Sequence, residues 1–185
     1  AKSPDLQESL IYALKKIKGA YSLVMMDEQR LIGVRDPFGF RPLSLGRLGS
    51  SWCLASESCA LDLIQAKFVR DVAPGEIIFI GKTGLKSVRP RELQYTKKHA
   101  FCAFEHVYFS RPDSIVFVET VHIVRSKFGA QLAREHPVMA DLVIPVPDSG
   151  FSAAIGYSRE SRIPLEMGII RNHYVGRTFI QPSQD

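Results

Sequence analysis

The sequence predicts two units of different class: a mostly antiparallel α+β unit, followed by an α/β unit with parallel strands. Three observations carry this. Short apolar runs punctuated by Gly and Pro fill the first half of the chain. A polar stretch at 91–99, with Lys97 and Lys98, breaks the pattern and reads as a linker. Beyond it come an apolar run, a tight loop, a helical pattern and a second apolar run, the order of a βαβ unit. The junction is placed at 96/97, giving domains 1–96 and 97–185.

Each element follows from its residues. Leu6, Leu10, Leu14 and Ile17 stand at helical spacing over 5–18, with Lys15, Lys16 and Lys18 at the cation-favouring end and Gly19 as the stop. Two apolar runs flank the polar Asp27-Glu28-Gln29-Arg30, which predicts a hairpin. Strands are expected at 42–45, 52–55, 67–69 and 77–80, with a short helix at 59–64. In the second half, Val121, Val124, Phe128 and Leu132 step by three and four, predicting a helix that runs to about His136. The run 141–146 is continuously apolar after Asp141 and reads as a strand covered on both faces. A helix at 151–160 and a strand at 165–170 complete the unit.

Composition narrows the function classes. The chain has 185 residues, 45% hydrophobic and 23% charged, so collagen-like, disordered and disulfide-scaffold classes are excluded. No run of roughly 18 apolar residues exists, so no spanning helix and no membrane role are expected. Three cysteines without a CxxC pair fit a reducing, cytoplasmic setting. The net charge of +5 suits polyanionic small molecules, and without zinc-finger spacing, RNP-type motif or long basic run no nucleic acid is expected as a partner.

The loop Pro147-Asp148-Ser149-Gly150 is the first candidate site. It ends a buried strand and opens a helix, and open parallel sheets bind ligands at such strand ends. A helix N-terminus suits phosphate or pyrophosphate, and the Ser149 hydroxyl suits Mg²⁺. The same residues also suit a plain helix cap. Arg171, His173 and Arg177 bring positive charge after the next strand, either for phosphate or as an exposed basic loop. The aromatic stretch from Cys102 to Ser114 reads on its residues alone as core, with Cys102 as a small buried hydrophobe. The stretches Arg35 to Leu43 and Ala55 to Ser58 read as turn chemistry plus an ion pair.

Taken together, GAYSLVMM, RDPFGFRPLSLG, ASESCALD, RDVAPGE, FEHVYFSRPDS, VIPVPDSGFSAAIGY and NHYVGRTFIQPSQ resemble the amidophosphoribosyltransferase family, in order and over nearly the whole chain. RDPFGFRPL alone also suits other glutamine amidotransferases. FSRPDS with HYVGRTFIQPSQ points to this one family. The resemblance implies the later part of an N-terminal-nucleophile glutaminase domain, then the opening part of a type I phosphoribosyltransferase domain with a parallel sheet. Glutamine is hydrolysed in the first. Ammonia then displaces pyrophosphate from phosphoribosyl pyrophosphate (PRPP) in the second, giving 5-phosphoribosylamine in the first committed step of purine synthesis. The alternatives are another glutamine amidotransferase and a non-catalytic PRPP-binding purine regulator.

The resemblance also carries roles to residues. Pro147, Asp148, Ser149 and Gly150 match the pyrophosphate loop, with Ser149 at a Mg²⁺ contact. Arg171, Tyr174, Arg177 and Ile180 match the opening of a substrate-covering loop. Phe104, Tyr108, Tyr174 and Ile180 match the apolar lining of an ammonia channel, which favours neutral ammonia and keeps water out. His173 stands where many relatives have Arg. Cys102 matches the first ligand of a [4Fe–4S] cluster in one subclass, and members without the cluster also carry Cys there. The family's nucleophilic N-terminal cysteine and its main phosphoribosyl-binding signature have no counterpart here. An internal fragment, inactive by itself, is therefore expected. Purine nucleotide inhibition and a homo-oligomer are further implications of the family.

Overall fold

The computed structural model describes residues 5–94 and 98–174. Contacts divide the chain into two compact units, Ala1–Val121 and His122–Asp185.

The first unit opens with helix α1, Leu6–Leu14, which buries Leu14. It ends earlier than the apolar spacing suggests. Ile17 is left 43% exposed. Strands β1 (Ser22–Met26) and β2 (Arg30–Arg35) form the expected hairpin. Its turn is tied by Asp27, whose carboxylate accepts from the backbone N–H of Gln29 and Arg30. Then follow β3 (Ser44–Leu48), β4 (Ser51–Ala55), α2 (Ser58–Leu63), β5 (Lys67–Asp71), β6 (Ile77–Gly81) and β7 (Gly84–Val88). The sequence reading lacks β7, because Gly84 and the solvated Lys86 and Ser87 interrupt any apolar run.

Two antiparallel sheets result, in the orders β1-β2-β6-β7 and β4-β3-β5. The apolar run of β6 serves two cores because side chains alternate across a strand. Ile77 and Phe79 join Leu14, Tyr21, Ile32 and Val34. Ile78 joins Leu43, Leu45 and Val72, with Ile80, Trp52 and Leu54 packed against them.

The linker expected at 91–99 is only partly that. A 3-10 turn at Arg91–Leu93 buries Leu93 in the first core at 1% exposure. The expected junction at 96/97 falls inside the first unit, and the residues after it are held there. Ala100 and Cys102 donate backbone hydrogen bonds to the carbonyls of Phe38 and Phe40. A π-helical turn, Glu105–Phe109, and the short pair β8 (Ile115–Val116) and β9 (Glu119–Thr120) complete this unit.

The second unit holds α3 (Val121–Glu135) and α4 (Phe151–Ser161). They approach so closely that a Cβ on Gly129 would strike the carbonyl of Ala153, and one on Gly156 that of Ser126. His122 Nδ1 lies 2.9 Å from the buried Ser152 hydroxyl. The apolar run expected as a covered strand and the strand expected after α4 meet in a single parallel bridge, Val143↔Leu165. Leu142, Ile144, Val146, Ile169 and Ile170 are 45–76% exposed rather than buried. The reason is local: no further strand flanks either run among the described residues, so the ladder does not extend beyond one bridge.

Candidate functional site

The loop Pro147–Gly150 is a tight turn between the bridged segment and α4. Val143 donates its N–H to Pro164 O at 2.9 Å, and Glu166 donates to Val143 O at 3.0 Å. Gly150 N–H closes the turn on Val146 O at 3.0 Å, and a Cβ at Gly150 would sit 2.6 Å from that oxygen. The Pro147–Asp148 peptide is cis. No side chain caps α4. The plain cap reading of Asp148 or Ser149 is therefore not the arrangement found. Asp148 turns instead to Arg171, whose Nη1 donates to Oδ2 at 3.1 Å.

This geometry suits an anion. The positive end of α4 and the Arg171 guanidinium converge on one loop. The Asp148–Arg171 side chains are 68% and 58% exposed, and exposed ion pairs contribute only ~0–1 kcal/mol. Arg171 is thus available to exchange Asp148 for a doubly charged ligand at little cost. Ser149, next in the chain to Asp148, is half-buried. An apolar hollow of about 320 Å³, lined by Leu132, Val138, Leu142, Ala153 and Tyr157 among others, shares no lining residue with this loop.

The remaining candidate residues are distributed. Tyr174 lies in the second unit and is fully exposed. Its N–H donates to Asn172 Oδ1 at 2.9 Å. Arg177 and Ile180 lie outside the described residues. Phe104 and Tyr108 lie in the first unit, 57% and 58% exposed. The core reading of the aromatic stretch is thereby corrected, since Val107 and Phe109 are also about half exposed. The buried residue there is Glu105, 2% exposed. A π-helical turn rotates its aromatic residues out of register with an ordinary helix face, and such turns recur at functional sites.

Residue reasoning overlooked the carboxylates that hold this stretch. Glu105 Oε2 accepts from Ser110 Oγ at 2.6 Å, and Oε1 lies 2.6 Å from Arg41 Nε. Glu57 Oε2 accepts from Arg111 N–H at 2.8 Å and Ser114 Oγ at 2.7 Å. The available signal was an acid inside an aromatic run, which is costly to bury without partners. The turn chemistry expected at Arg35 to Leu43 is present. Asp36 accepts from the N–H groups of Phe38, Gly39 and Phe40. Arg35, 2% exposed, donates to the carbonyls of Gly39, Arg41 and Val72. Burial lowers its guanidinium pKa, opposed by the charges of Asp71 and Asp36.

Two metal groups are implied by the family resemblance. The oxygen donors of the loop are the hard kind Mg²⁺ accepts, and a phosphate-bound Mg²⁺ needs only one or two protein ligands. The Ser149 hydroxyl is such an oxygen and would fit that part. Toward a [4Fe–4S] cluster this chain would supply one thiolate, that of Cys102, and among the described residues no three His, Cys, Asp or Glu side chains gather as a metal site. Cys102 is half-buried, and no chemistry is derived through it.

Comparison with known proteins gives first a likeness to a class. A family model described as a glutamine amidotransferase domain matches residues 5–63. The more particular relationship covers the whole chain. Amidophosphoribosyltransferase of Mycobacterium bovis is 50% identical over 184 residues, which is 100% of this chain and 34% of that protein. The chloroplastic amidophosphoribosyltransferase of Glycine max is 51% identical over 176 residues, 95% of this chain and 30% of its own length. A solved structure of glutamine PRPP amidotransferase from B. subtilis, complexed with ADP and GMP, has a TM-score of 0.91 at 44% identity, covering all of this chain and 40% of that one. The amidophosphoribosyltransferase resemblance carried by the motifs is thus borne out, and the chain spans about a third of the length of the curated relatives it matches. Among the described residues no helix is long and apolar enough to cross a membrane.

Proposed function

We propose that the protein carrying this chain is an amidophosphoribosyltransferase acting at the first committed step of purine synthesis. Glutamine is hydrolysed to glutamate and ammonia. The ammonia lone pair attacks C1 of PRPP, the bond from C1 to the pyrophosphate oxygen breaks, and 5-phosphoribosylamine forms. In this reading 1–96 belong to the glutaminase half and 97–185 to a type I phosphoribosyltransferase half with a parallel sheet. The parallel bridge Val143↔Leu165 supports the second assignment.

The single observation that carries the proposal within the structure is the uncapped start of α4, with Arg171 drawn alongside loop Pro147–Gly150. Backbone N–H groups there and Arg171 bind the diphosphate. Mg²⁺, when bound, offsets charge on the departing pyrophosphate, and Ser149 is this chain's contribution to holding it. Arg177 joins Arg171 in covering the substrate. The motif match assigns Phe104, Tyr108, Tyr174 and Ile180 to the lining of an ammonia path, where apolar side chains would exclude water. Cytoplasmic location, a homo-oligomer and inhibition by purine nucleotides belong to the same proposal. The nucleotides in the B. subtilis structure support the last of these.

Ser149→Ala in the full-length protein tests it. Loss of one hydrogen bond to a charged group predicts roughly tenfold weaker use of Mg²⁺–PRPP in ammonia-driven synthesis. Glutamine hydrolysis is expected to persist. Synthesis unchanged at limiting Mg²⁺ overturns the role of Ser149.

A further inference from the structure

The aromatic turn is exposed, yet it is anchored from beneath by one buried acid. Glu105 is 2% exposed, whereas Phe104, Val107, Tyr108 and Phe109 around it are about half exposed. Its Oε2 accepts from Ser110 Oγ, which closes the turn at its far end. Its Oε1 faces Arg41 Nε at 2.6 Å as an ionic contact without an aligned hydrogen bond. The Arg41 guanidinium also lies 4.5 Å from the centre of the Phe109 ring. Arg41 ends the Asp36 turn, and its carbonyl accepts from the buried Arg35 side chain. The chain of contacts is therefore continuous, from the Asp36 turn through Arg41 to Glu105 and the aromatic turn.

We infer that Glu105 and Arg41 are positioning residues that set the aromatic turn, and with it Phe104 and Tyr108, against the Asp36 turn of the glutaminase-type unit. This rests on the proposed ammonia-channel role of Phe104 and Tyr108. A buried carboxylate is an expensive anchor, since its partners must offset the cost of taking it out of water. Apolar packing would hold the turn at lower cost. The carboxylate instead ties the turn to the position of one guanidinium, and Arg41, 44% exposed, sits at the end of the Asp36 turn. Loss of the Glu105 charge, or of the planar guanidinium opposite it, leaves the aromatic residues in place on average but frees them from the loop, so ammonia escapes before it reacts.

Glu105→Gln and Arg41→Lys in the full-length protein test this. Gln keeps size and the Ser110 hydrogen bond and loses the ion pair. The readout is glutamate formed per phosphoribosylamine formed from glutamine, measured beside ammonia-driven synthesis. Wild type is expected near one. Both variants are expected to raise that ratio at least threefold, with ammonia-driven synthesis within twofold of wild type. A merely structural role lowers both activities together and leaves the ratio at one. That result overturns the inference. Should Glu105→Gln fail to fold, the surface variant Arg41→Lys decides by the same ratio. A wild-type protein that forms no phosphoribosylamine even with ammonia overturns the proposed function instead, and the two failures are thereby distinct.

Discussion

Glu57 and Arg111 stand 54 positions apart and are joined by one hydrogen bond, from the Arg111 N–H to Glu57 Oε2 at 2.8 Å. The same oxygen accepts from Ser114 Oγ at 2.7 Å. Ser58 Oγ, next in the chain, accepts from the N–H of Ile115 at 2.8 Å. The segment Ala55 to Ser58 thus holds the far end of the aromatic stretch by two side chains. Glu57→Ala leaves a backbone N–H and a hydroxyl without their acceptor, so a loss of about 2 kcal/mol is expected. Urea unfolding at neutral pH checks it, and Glu57→Gln is expected to lose about half as much.

Glu76 is fully buried and receives four hydrogen bonds, two from Arg70 and one each from Ser87 Oγ and Ala73 N–H. Burial pushes its carboxyl up, but these bonds and the Arg70 charge outweigh it and bring it below 4.5. A carboxyl depressed in the fold stabilises fully above its unfolded value, and the contribution is lost as pH falls through the folded value. Asp71 works in the opposite sense. Burial raises it against Arg35, Ser44 and the Phe117 N–H, so its ionisation costs stability as pH rises through its folded value. Glu76→Gln is expected to cost about 2 kcal/mol at pH 7 and to flatten the acid side of the stability profile. Thermal unfolding at a series of pH values between neutral and acid measures both effects.

The connection between β8 and β9 is two residues, Phe117 and Val118, both with positive φ, 50° and 68°. Such a hairpin favours Asn-Gly or Asp-Gly, and a β-branched residue at positive φ is strained. Phe117 is retained by its stacking on Phe101 at 4.3 Å between centroids. Val118, 94% exposed, has no such return. Val118→Gly is expected to raise stability by about 1 kcal/mol, read as a higher unfolding midpoint. An unchanged or lower midpoint contradicts the strain.

The pairing of α3 with α4 depends on two missing side chains. Gly156→Ala places a methyl against the backbone of Ser126, which cannot yield as a side chain tip does. Separation of the helices is expected, at about 2 kcal/mol. Gly129→Ala acts against Ala153 in the same way. Hydrogen exchange at amides of α4 reads this in the second unit alone.

Legibility in the sequence followed burial. Two apolar runs around a polar turn revealed the β1–β2 hairpin, and the three-four spacing of Val121, Val124, Phe128 and Leu132 revealed α3 to within one residue of its end. Strand β7 was hidden because one side of it is solvated and its partners lie on a neighbouring strand. The apolar runs 142–146 and 165–170 carried a strand signal, but a parallel ladder needs neighbours on both sides, and one bridge is formed. Loop Pro147–Gly150 stood out as a candidate because Pro, Asp, Ser and Gly break an apolar run ahead of a helix. The pairing of Asp148 with Arg171 was not, since 23 residues separate them and only the fold brings them together. Glu105 was obscured by its aromatic neighbours, whose apolar character suggested the wrong residues as buried.

The most direct measurement follows PRPP by phosphorus NMR in the full-length protein with Mg²⁺ and ammonia, in wild type and in Arg171→Ala. The expected result is conversion of the PRPP diphosphate resonances to free pyrophosphate, dependent on ammonia and at least tenfold slower in the variant. PRPP that persists with wild-type protein, or pyrophosphate released at the same rate without Arg171, would contradict diphosphate binding at the start of α4.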